Sequence, residues 1–94
     1  MFWVYMLRCA DGSYYVGHSD DLCKRIAQHR QGVFPTCYTF SRRPIELVYS
    51  QDCQTRDEAL VLERKIKGWS RAKKTALISR DWQEISRLSR NRQK

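Results

Sequence analysis

An uninterrupted apolar run at residues 2–7 constrains the fold of this chain most strongly. Its residues are apolar at both parities, which is typical of a strand that is covered on both faces. A turn signal at residues 10–12 follows, and residues 13–17 then have the pattern of a second strand. We therefore predict that the chain opens with a β-hairpin whose first strand covers residues 2–9.

The length of the turn decides which residues share a face of this hairpin. A two-residue loop at Asp11 and Gly12 puts Tyr5 and Tyr15 on opposite faces. A three-residue loop, with Gly12 left-handed in a bulge, pairs Tyr5 with Gly17. The two tyrosines then become diagonal neighbours on one face. The residues alone permit both arrangements.

The middle of the chain predicts one helix and one further strand. Asp20 or Ser19 can cap a helix over residues 21–31, and the breakers that follow indicate a loop over residues 32–43. An apolar run at residues 45–49 predicts a third strand. Three strands make a short sheet, which the residues alone allow to be mixed or antiparallel.

Three helices are predicted after the third strand. Thr55 and Glu58 have the spacing of a capping box, which opens a helix over residues 56–68. The buried stripe of that helix is Ala59, Leu62, Ile66 and Trp69. A short basic helix capped by Ser70 and a last helix follow. The last helix is expected to turn three apolar residues inward: Trp82, Ile85 and Leu88.

Size and composition indicate one globular domain over residues 1–94, with 41% hydrophobic residues. We expect the core over about residues 2–79 and a basic helix or tail over about residues 80–94. The apolar start is too short to cross a bilayer and lacks the basic region of a signal peptide. We therefore expect a cytoplasmic protein without membrane attachment. The four cysteines lack the paired spacing of a zinc site, and reduced thiols are expected.

The net charge of +8 is concentrated in the last third of the chain. Residues 1–62 carry seven basic and seven acidic side chains, whereas residues 63–94 carry eleven basic and three acidic ones. Such a segregated excess is typical of a face that binds a polyanion, and nucleic acid is our first interpretation. The alternative is a charged helical surface that only keeps the protein soluble.

Glu63 is the acidic residue with the clearest functional interpretation, because it borders the apolar stripe of the helix over residues 56–68. A buried carboxylate is costly unless a cation or a metal ion accompanies it. The alternative is an ion pair with Lys67, one helical turn further on. The sequence pattern leaves both interpretations open.

Tyr5 and Tyr15, when they share one face, form a candidate polar cluster with His18 at the end of the second strand. Arg25 and His29 lie one turn apart and face the same side as the apolar stripe of their helix. A guanidinium can hold a phosphate bidentately, whereas His29 alone is more simply a partly buried ring with a backbone partner. The phenols of Tyr5 and Tyr15 can pass a proton where a neighbour lowers their pKa.

These residues, in this order and spacing, resemble the GIY-YIG nuclease family, and most closely its small bacterial members. The resemblance covers about residues 3–78. It is carried by Tyr5, by Tyr15-Val16-Gly17, by Leu22-x-x-Arg25-Ile26-x-x-His29 and by Leu62-Glu63-Arg64-x-Ile66-Lys67-Gly68-Trp69. The first motif departs from the family name, since it reads Trp3-Val4-Tyr5 and keeps only the tyrosine. The asparagine that some members carry shortly after the glutamate has no equivalent here.

The resemblance implies an α+β fold with a three-stranded antiparallel sheet flanked by helices. It also implies hydrolysis of DNA phosphodiester bonds that depends on one divalent ion, Mg²⁺ or Mn²⁺. Glu63 matches the metal-binding glutamate, and Arg25 matches the arginine that steadies the phosphate. Tyr5 and Tyr15 match the signature tyrosines, one of which helps to activate the attacking water. The family geometry places both tyrosines on one face, which favours the three-residue loop.

Two histidines and the basic third of the chain complete the expected site. His18 occupies a position where family members carry various polar or basic residues, and we count it with the catalytic set. His29 matches a recurrent histidine of the first helix, and we assign it to nucleic-acid binding. The basic residues expected to hold the nucleic-acid backbone are Lys65, Lys67, Arg71, Lys73 and Lys74.

The chain length also bears on specificity, because 94 residues leave no room for the additional DNA-binding domain that many family members carry. We therefore expect structure-selective or weakly specific cutting of DNA in repair or recombination, with a partner protein that supplies target choice. Two alternatives are a catalytically weak module that binds DNA or RNA through the same basic face, and an RNA-binding accessory protein.

Overall fold

Three antiparallel strands form one sheet in the computed structural model, which describes residues 1–92. The central strand β1 (Phe2–Arg8) pairs with β2 (Tyr14–Ser19) on one side and with β3 (Glu46–Cys53) on the other. The α+β fold class with an antiparallel sheet is thereby confirmed. Residues 93 and 94, which end the predicted basic tail, lie outside the described residues.

The turn between β1 and β2 has the three-residue form. Tyr5 pairs with Gly17, and Gly12 adopts a left-handed φ of 85°. Tyr5 and Tyr15 therefore lie on the same face of the sheet, as the family resemblance implies. Strand β2 is an edge strand of the sheet, and β1 is its neighbour on the inner side.

Helices cover both faces of the sheet, which explains why the first strand is apolar at both parities. One face packs against α2 (Arg56–Lys67) and α3 (Arg71–Ile78), and α4 (Trp82–Arg92) packs against α3. The buried core on that side consists of Val4, Met6, Val16, Tyr49, Ala59, Ile66 and Leu77. The other face packs against α1 (Leu22–Gln31). The core on that side consists of Tyr5, Leu7, Cys9, Ile26 and Ile45.

The cap of α1 differs from the predicted one. Asp21, rather than Asp20 or Ser19, accepts the backbone N–H of Lys24 at 3.1 Å. The helix starts later because β2 continues through Ser19, whose hydroxyl accepts the backbone N–H of Asp21 at 3.0 Å. The chain thus turns from strand to helix within two residues, and this sharp turn brings the start of α1 to the end of β2.

The last helix also corrects one expectation. Trp82 is 56% exposed, whereas Ile85 packs against the core as predicted. Helical side chains lean toward the N-terminus, so the first residue of a helix has no preceding turn to lie against. Within residues 1–92, no helix is long and apolar enough to cross a membrane.

Candidate active site at the end of the edge strand

The predicted catalytic side chains gather around the second half of β2. The rings of Tyr5 and Tyr15 are 6.3 Å apart on the face that α1 covers. His18 points to the opposite face, where its Nδ1 lies 2.9 Å from Oε1 of Glu63 on α2. The phenol of Tyr5 interacts electrostatically with Arg25 and, more weakly, with Glu63. The two faces therefore contribute to one cluster across the free side of the edge strand.

A buried chain of hydrogen bonds runs inward from Tyr5. Its hydroxyl lies 2.9 Å from Nε2 of His29, and Nδ1 of His29 lies 2.9 Å from Oγ1 of Thr39. The Thr39 hydroxyl donates its proton to Sγ of Cys37 at 3.4 Å. Because that proton is used, the Thr39 oxygen is the acceptor for the Nδ1–H of His29.

The protonation state of His29 then fixes the direction of the bond to Tyr5. Burial and the positive charge of Arg25 lower the pKa of His29 below its ordinary value, so the ring is neutral near pH 7. A neutral ring with its proton on Nδ1 has a lone pair on Nε2. The Tyr5 hydroxyl therefore donates to His29.

This placement corrects the assignment of His29 to nucleic-acid binding. The residue is 2% exposed, and both of its ring nitrogens already have protein partners. It therefore has no surface to offer to a nucleic acid and lies behind Tyr5 instead. Thr39 and Cys37 were missed because they lie in an aperiodic loop without any motif.

Both tyrosines are neutral in the folded protein. Burial raises the pKa of Tyr5 to about 12, against the lowering effect of the adjacent Arg25 guanidinium. Burial also raises the pKa of Tyr15, and the neighbouring phenol of Tyr5 adds to this effect. If Tyr5 accepts a proton near neutral pH, it must therefore donate its own hydroxyl proton to another group at the same time.

Glu63 is largely buried and makes the ion pair with Lys67 that its sequence position allowed. Its side chain is only 12% exposed, and its Oε1 accepts the bond from His18. Its Oε2 lies 3.5 Å from Nζ of Lys67, whose own side chain is 53% exposed. The carboxylate thus lies between the His18 ring on β2 and the exposed Lys67 side chain on its own helix.

Glu63 contributes one carboxylate that a hard divalent cation could use. Among residues 1–92, no group of three or more histidine, cysteine and carboxylate side chains is arranged to hold a metal ion. Mg²⁺ commonly keeps several water ligands and uses one or two carboxylates. A carboxylate oxygen that accepts one hydrogen bond retains a further lone-pair site. Glu63 can therefore serve as the single protein ligand of such an ion.

Arg25 is half-buried, and part of its side chain reaches the surface beside the cluster. It lines two surface cavities of about 250 and about 260 Å³, which share Ser19 and Asp20 and so adjoin at the end of β2. The second cavity also contains His18 and Arg56. A ligand in this cavity would therefore contact both the Arg25 guanidinium and His18, which is hydrogen-bonded to Glu63.

The five predicted backbone-binding residues do not form one uniform surface. Lys65 and Lys67 are exposed on α2, and Lys74 is half-buried on α3. Arg71 is exposed and donates to the carbonyl of Gly12 at 2.7 Å. Lys73 is only 6% exposed.

Lys73 therefore corrects the sequence analysis. Its ammonium lies 4.3 Å from the centre of the Trp69 ring, inside the protein. A cation over an aromatic face is a stable arrangement, and here it keeps the charge away from the surface. Lys73 thus supports the packing of α3 and is not placed to contact a phosphate.

Comparisons with known proteins agree with this architecture. A UPF0213 protein of Staphylococcus saprophyticus is 46% identical over 77 residues, which span 82% of this chain and 93% of that protein. A UPF0213 protein of Bacillus pumilus is 43% identical over 76 residues, spanning 81% and 76%. The solution NMR structure of a UPF0213 protein from Bacillus halodurans is 39% identical and covers 84% of each chain, with a TM-score of 0.55.

The family model that matches is described as the GIY-YIG catalytic domain, and it covers residues 1–76. This range contains β1, β2, α1, β3, α2 and most of α3, and with them every side chain of the cluster described above. The sheet, the cluster at the end of its edge strand and the matched range lead to the same conclusion: the chain belongs to the GIY-YIG family of nuclease domains.

Proposed function

We propose that this protein is an endonuclease that hydrolyses DNA phosphodiester bonds with the help of one Mg²⁺ or Mn²⁺ ion. Its cutting is structure-selective or weakly specific, it acts in DNA repair or recombination in the cytoplasm, and a partner protein supplies target choice. The observation that carries the proposal is the convergence of Arg25, Glu63 and the bonded pair Tyr5–His29 on one end of β2.

Hydrolysis of a phosphodiester requires a nucleophilic water and stabilisation of the negative charge that develops on the phosphate. The guanidinium of Arg25 offers a planar set of donors to the phosphate oxygens. Glu63 would hold the divalent ion, which when bound neutralises phosphate charge and favours deprotonation of a coordinated water. His18 keeps the Glu63 carboxylate in one orientation through the bond to Oε1.

The bond direction supports Tyr5 rather than Tyr15 as the residue that takes the proton of the attacking water. Tyr5 accepts that proton on its oxygen while its own proton passes to Nε2 of His29. The phenol stays neutral throughout, which accords with a pKa raised to about 12. Tyr15 packs against the rings of both Tyr5 and His29, beside this contact.

Cleavage assays on labelled DNA test the proposal. We would incubate the protein with duplex, single-stranded, flap and branched DNA in Mg²⁺ or Mn²⁺, beside the variants Glu63→Gln and Tyr5→Phe. Cleavage by the wild-type protein that both variants lose supports the proposal. Cleavage that survives Glu63→Gln contradicts the assignment of the metal ligand. Tight, salt-sensitive binding without cleavage would favour the alternative of a binding module, and relative affinities for DNA and RNA would then identify its ligand.

A further inference from the structure

A stack of three flat groups leads from the predicted site to the surface. The ring of Tyr38 lies nearly parallel to that of Tyr15, at an interplanar angle of 16° and a centroid distance of 6.4 Å. The guanidinium carbon of Arg42 lies 3.7 Å from the centre of the Tyr38 ring. Tyr38 is 42% exposed, so the stack stands at the protein surface beside the cluster.

The guanidinium of Arg42 is held in a fixed plane. Nε of Arg42 donates to Oδ2 of Asp11 at 3.1 Å, and its Nη1 donates to the carbonyl of Tyr38 at 2.9 Å. These hydrogen bonds lie along the N–H directions, within the plane of the guanidinium. About a third of the Arg42 side chain, 35%, is nevertheless exposed. Part of the Arg42 side chain is thus accessible to a further planar group beside Tyr38.

A flat, charged and pre-oriented group of this kind matches one ligand chemistry. Nucleobases stack on aromatic rings and on guanidinium planes when they are not already stacked between neighbours. A base inside a continuous duplex has both faces covered and would first have to be unstacked. The stack therefore selects a base that is already unpaired, as in a single strand, a flap or a branch point.

We propose that Arg42, supported by Tyr38, binds an unpaired nucleobase of the DNA strand next to the phosphodiester that is cut. This inference rests on the proposed endonuclease function and names the feature of the substrate that the site selects. The stack begins at Tyr15, which contacts the rings of both Tyr5 and His29. A base on Arg42 would therefore fix the position of the neighbouring phosphate relative to the hydrogen-bonded pair Tyr5–His29, through which the proton passes.

The same loop contains a matched control. Arg43 lies with its guanidinium 4.7 Å from the centre of the Phe40 ring and donates to the Phe40 carbonyl at 2.9 Å. Its guanidinium lies beside Gly32 at the end of α1, and its aromatic partner is Phe40 rather than Tyr38. Arg43 thus has the same chemistry and an aromatic partner, but its stack does not lead to the cluster.

The test measures binding rather than cleavage. The full chain carrying Glu63→Gln, which leaves the DNA uncut, is titrated with a single strand that contains 2-aminopurine and with a fully paired duplex of the same sequence. We expect Arg42→Lys, which keeps the charge and loses the plane, to weaken single-strand binding about fivefold or more. Duplex binding should change less than twofold, and the quenching of 2-aminopurine should be lost. Arg43→Lys should change neither quantity.

Several outcomes would overturn the inference. Equal weakening for single strand and duplex would mean that Arg42 contacts only phosphates. Unchanged binding and quenching, with or without a lower melting temperature, would mean that the stack only supports the loop. Tyr38→Ala, checked for folding by circular dichroism, must reproduce the loss of quenching. Binding to neither DNA refutes the inference as well, whereas quenching that depends on Arg42 in a protein that never cleaves refutes only the proposed function.

Discussion

Gly17 lies directly beneath the phenol of Tyr5, since a Cβ at position 17 would stand 2.6 Å from the Tyr5 hydroxyl oxygen and 2.7 Å from its Cζ. The Tyr5 ring lies over Gly17, its pairing partner in the hairpin, and its hydroxyl contacts His29. We expect Gly17→Ala to displace the ring, to slow cleavage at least about tenfold and to destabilise the fold by about 1–3 kcal/mol. Cleavage rates and urea unfolding curves measure the two effects.

Gly68 provides the control for this substitution. A Cβ there would meet no atom closer than 3.6 Å, and its φ of −79° suits any residue. Gly68→Ala should leave cleavage unchanged and stabilise the protein by about 0.4–1 kcal/mol, because alanine reduces the freedom of the unfolded chain. Equal losses of activity in both variants would contradict a specific role for the contact between Gly17 and Tyr5.

The pH dependence of cleavage should report the protonation of His29. The pKa of this residue is lowered by burial and by the charge of Arg25, so its acid limb is expected below the ordinary value of about 6.5. Above that limb the ring is neutral and takes the Tyr5 proton, whereas protonation below it removes the lone pair. A rate profile measured from acidic to neutral pH should therefore fall on the acid side. An acid limb unchanged in His29→Gln would contradict this assignment.

The same group makes the fold less stable in acid. The folded pKa is lower than the unfolded one, so the unfolded chain binds more protons as the pH falls through about 6.5. The contribution of His29 to stability is thus present above that pH and decreases below it. Urea unfolding midpoints of the wild type and His29→Gln, measured above and below this pH, separate the contribution of His29 from that of other titrating groups.

Substitutions at Thr39 test the proposed proton transfer from Tyr5 to His29 without changing either of those residues. Thr39→Ser keeps the hydroxyl that accepts the Nδ1–H bond, whereas Thr39→Val removes it at similar volume. We expect Val to slow cleavage at least about tenfold, because the ring loses the partner that fixes its tautomer. Ser should retain most of the activity. Similar rates for both variants would show that the tautomer does not limit the reaction.

Much of this architecture could be predicted from local patterns. The unbroken apolar run required a strand covered on both faces, and Thr55 does accept the backbone N–H of Glu58 at the start of α2. The faces of Tyr5 and Tyr15 could not be derived in this way, because turn length alone decides them. Only the family resemblance selected the correct arrangement.

Tertiary contacts explain the remaining differences between the sequence predictions and the structure. Strand β3 runs to Cys53 rather than to residue 49, because β1 supplies pairing partners along that whole length. Helical periodicity placed His29 on the inner side of α1 but could not reveal Thr39, which lies in the aperiodic loop that follows α1. A count of charges likewise cannot tell that Lys73 lies over Trp69, although the two are four residues apart.

Core packing on α2 should dominate its contribution to stability. Ile66 is 1% exposed in the core under the sheet, whereas Val61 on the same helix is 66% exposed. Ile66→Ala should reduce the free energy of unfolding by about 2–5 kcal/mol through lost contacts and a cavity. Val61→Ala, the matched control, should stay within about 0.5 kcal/mol. Urea unfolding of both variants decides this, and a large loss for Val61→Ala would imply that its surface is covered in solution.

Salt dependence of DNA binding should separate the exposed lysines from the buried one. Lys65 is exposed on α2, and Lys65→Gln should weaken binding to all DNA sequences and reduce the slope of log K against log salt by about 1. Lys73→Met removes an equal charge, but from the interior beside Trp69. It should lower stability by about 0.5–2 kcal/mol and leave the salt slope unchanged. A slope reduced equally by both variants would mean that Lys73 leaves the Trp69 ring to contact a phosphate in the complex.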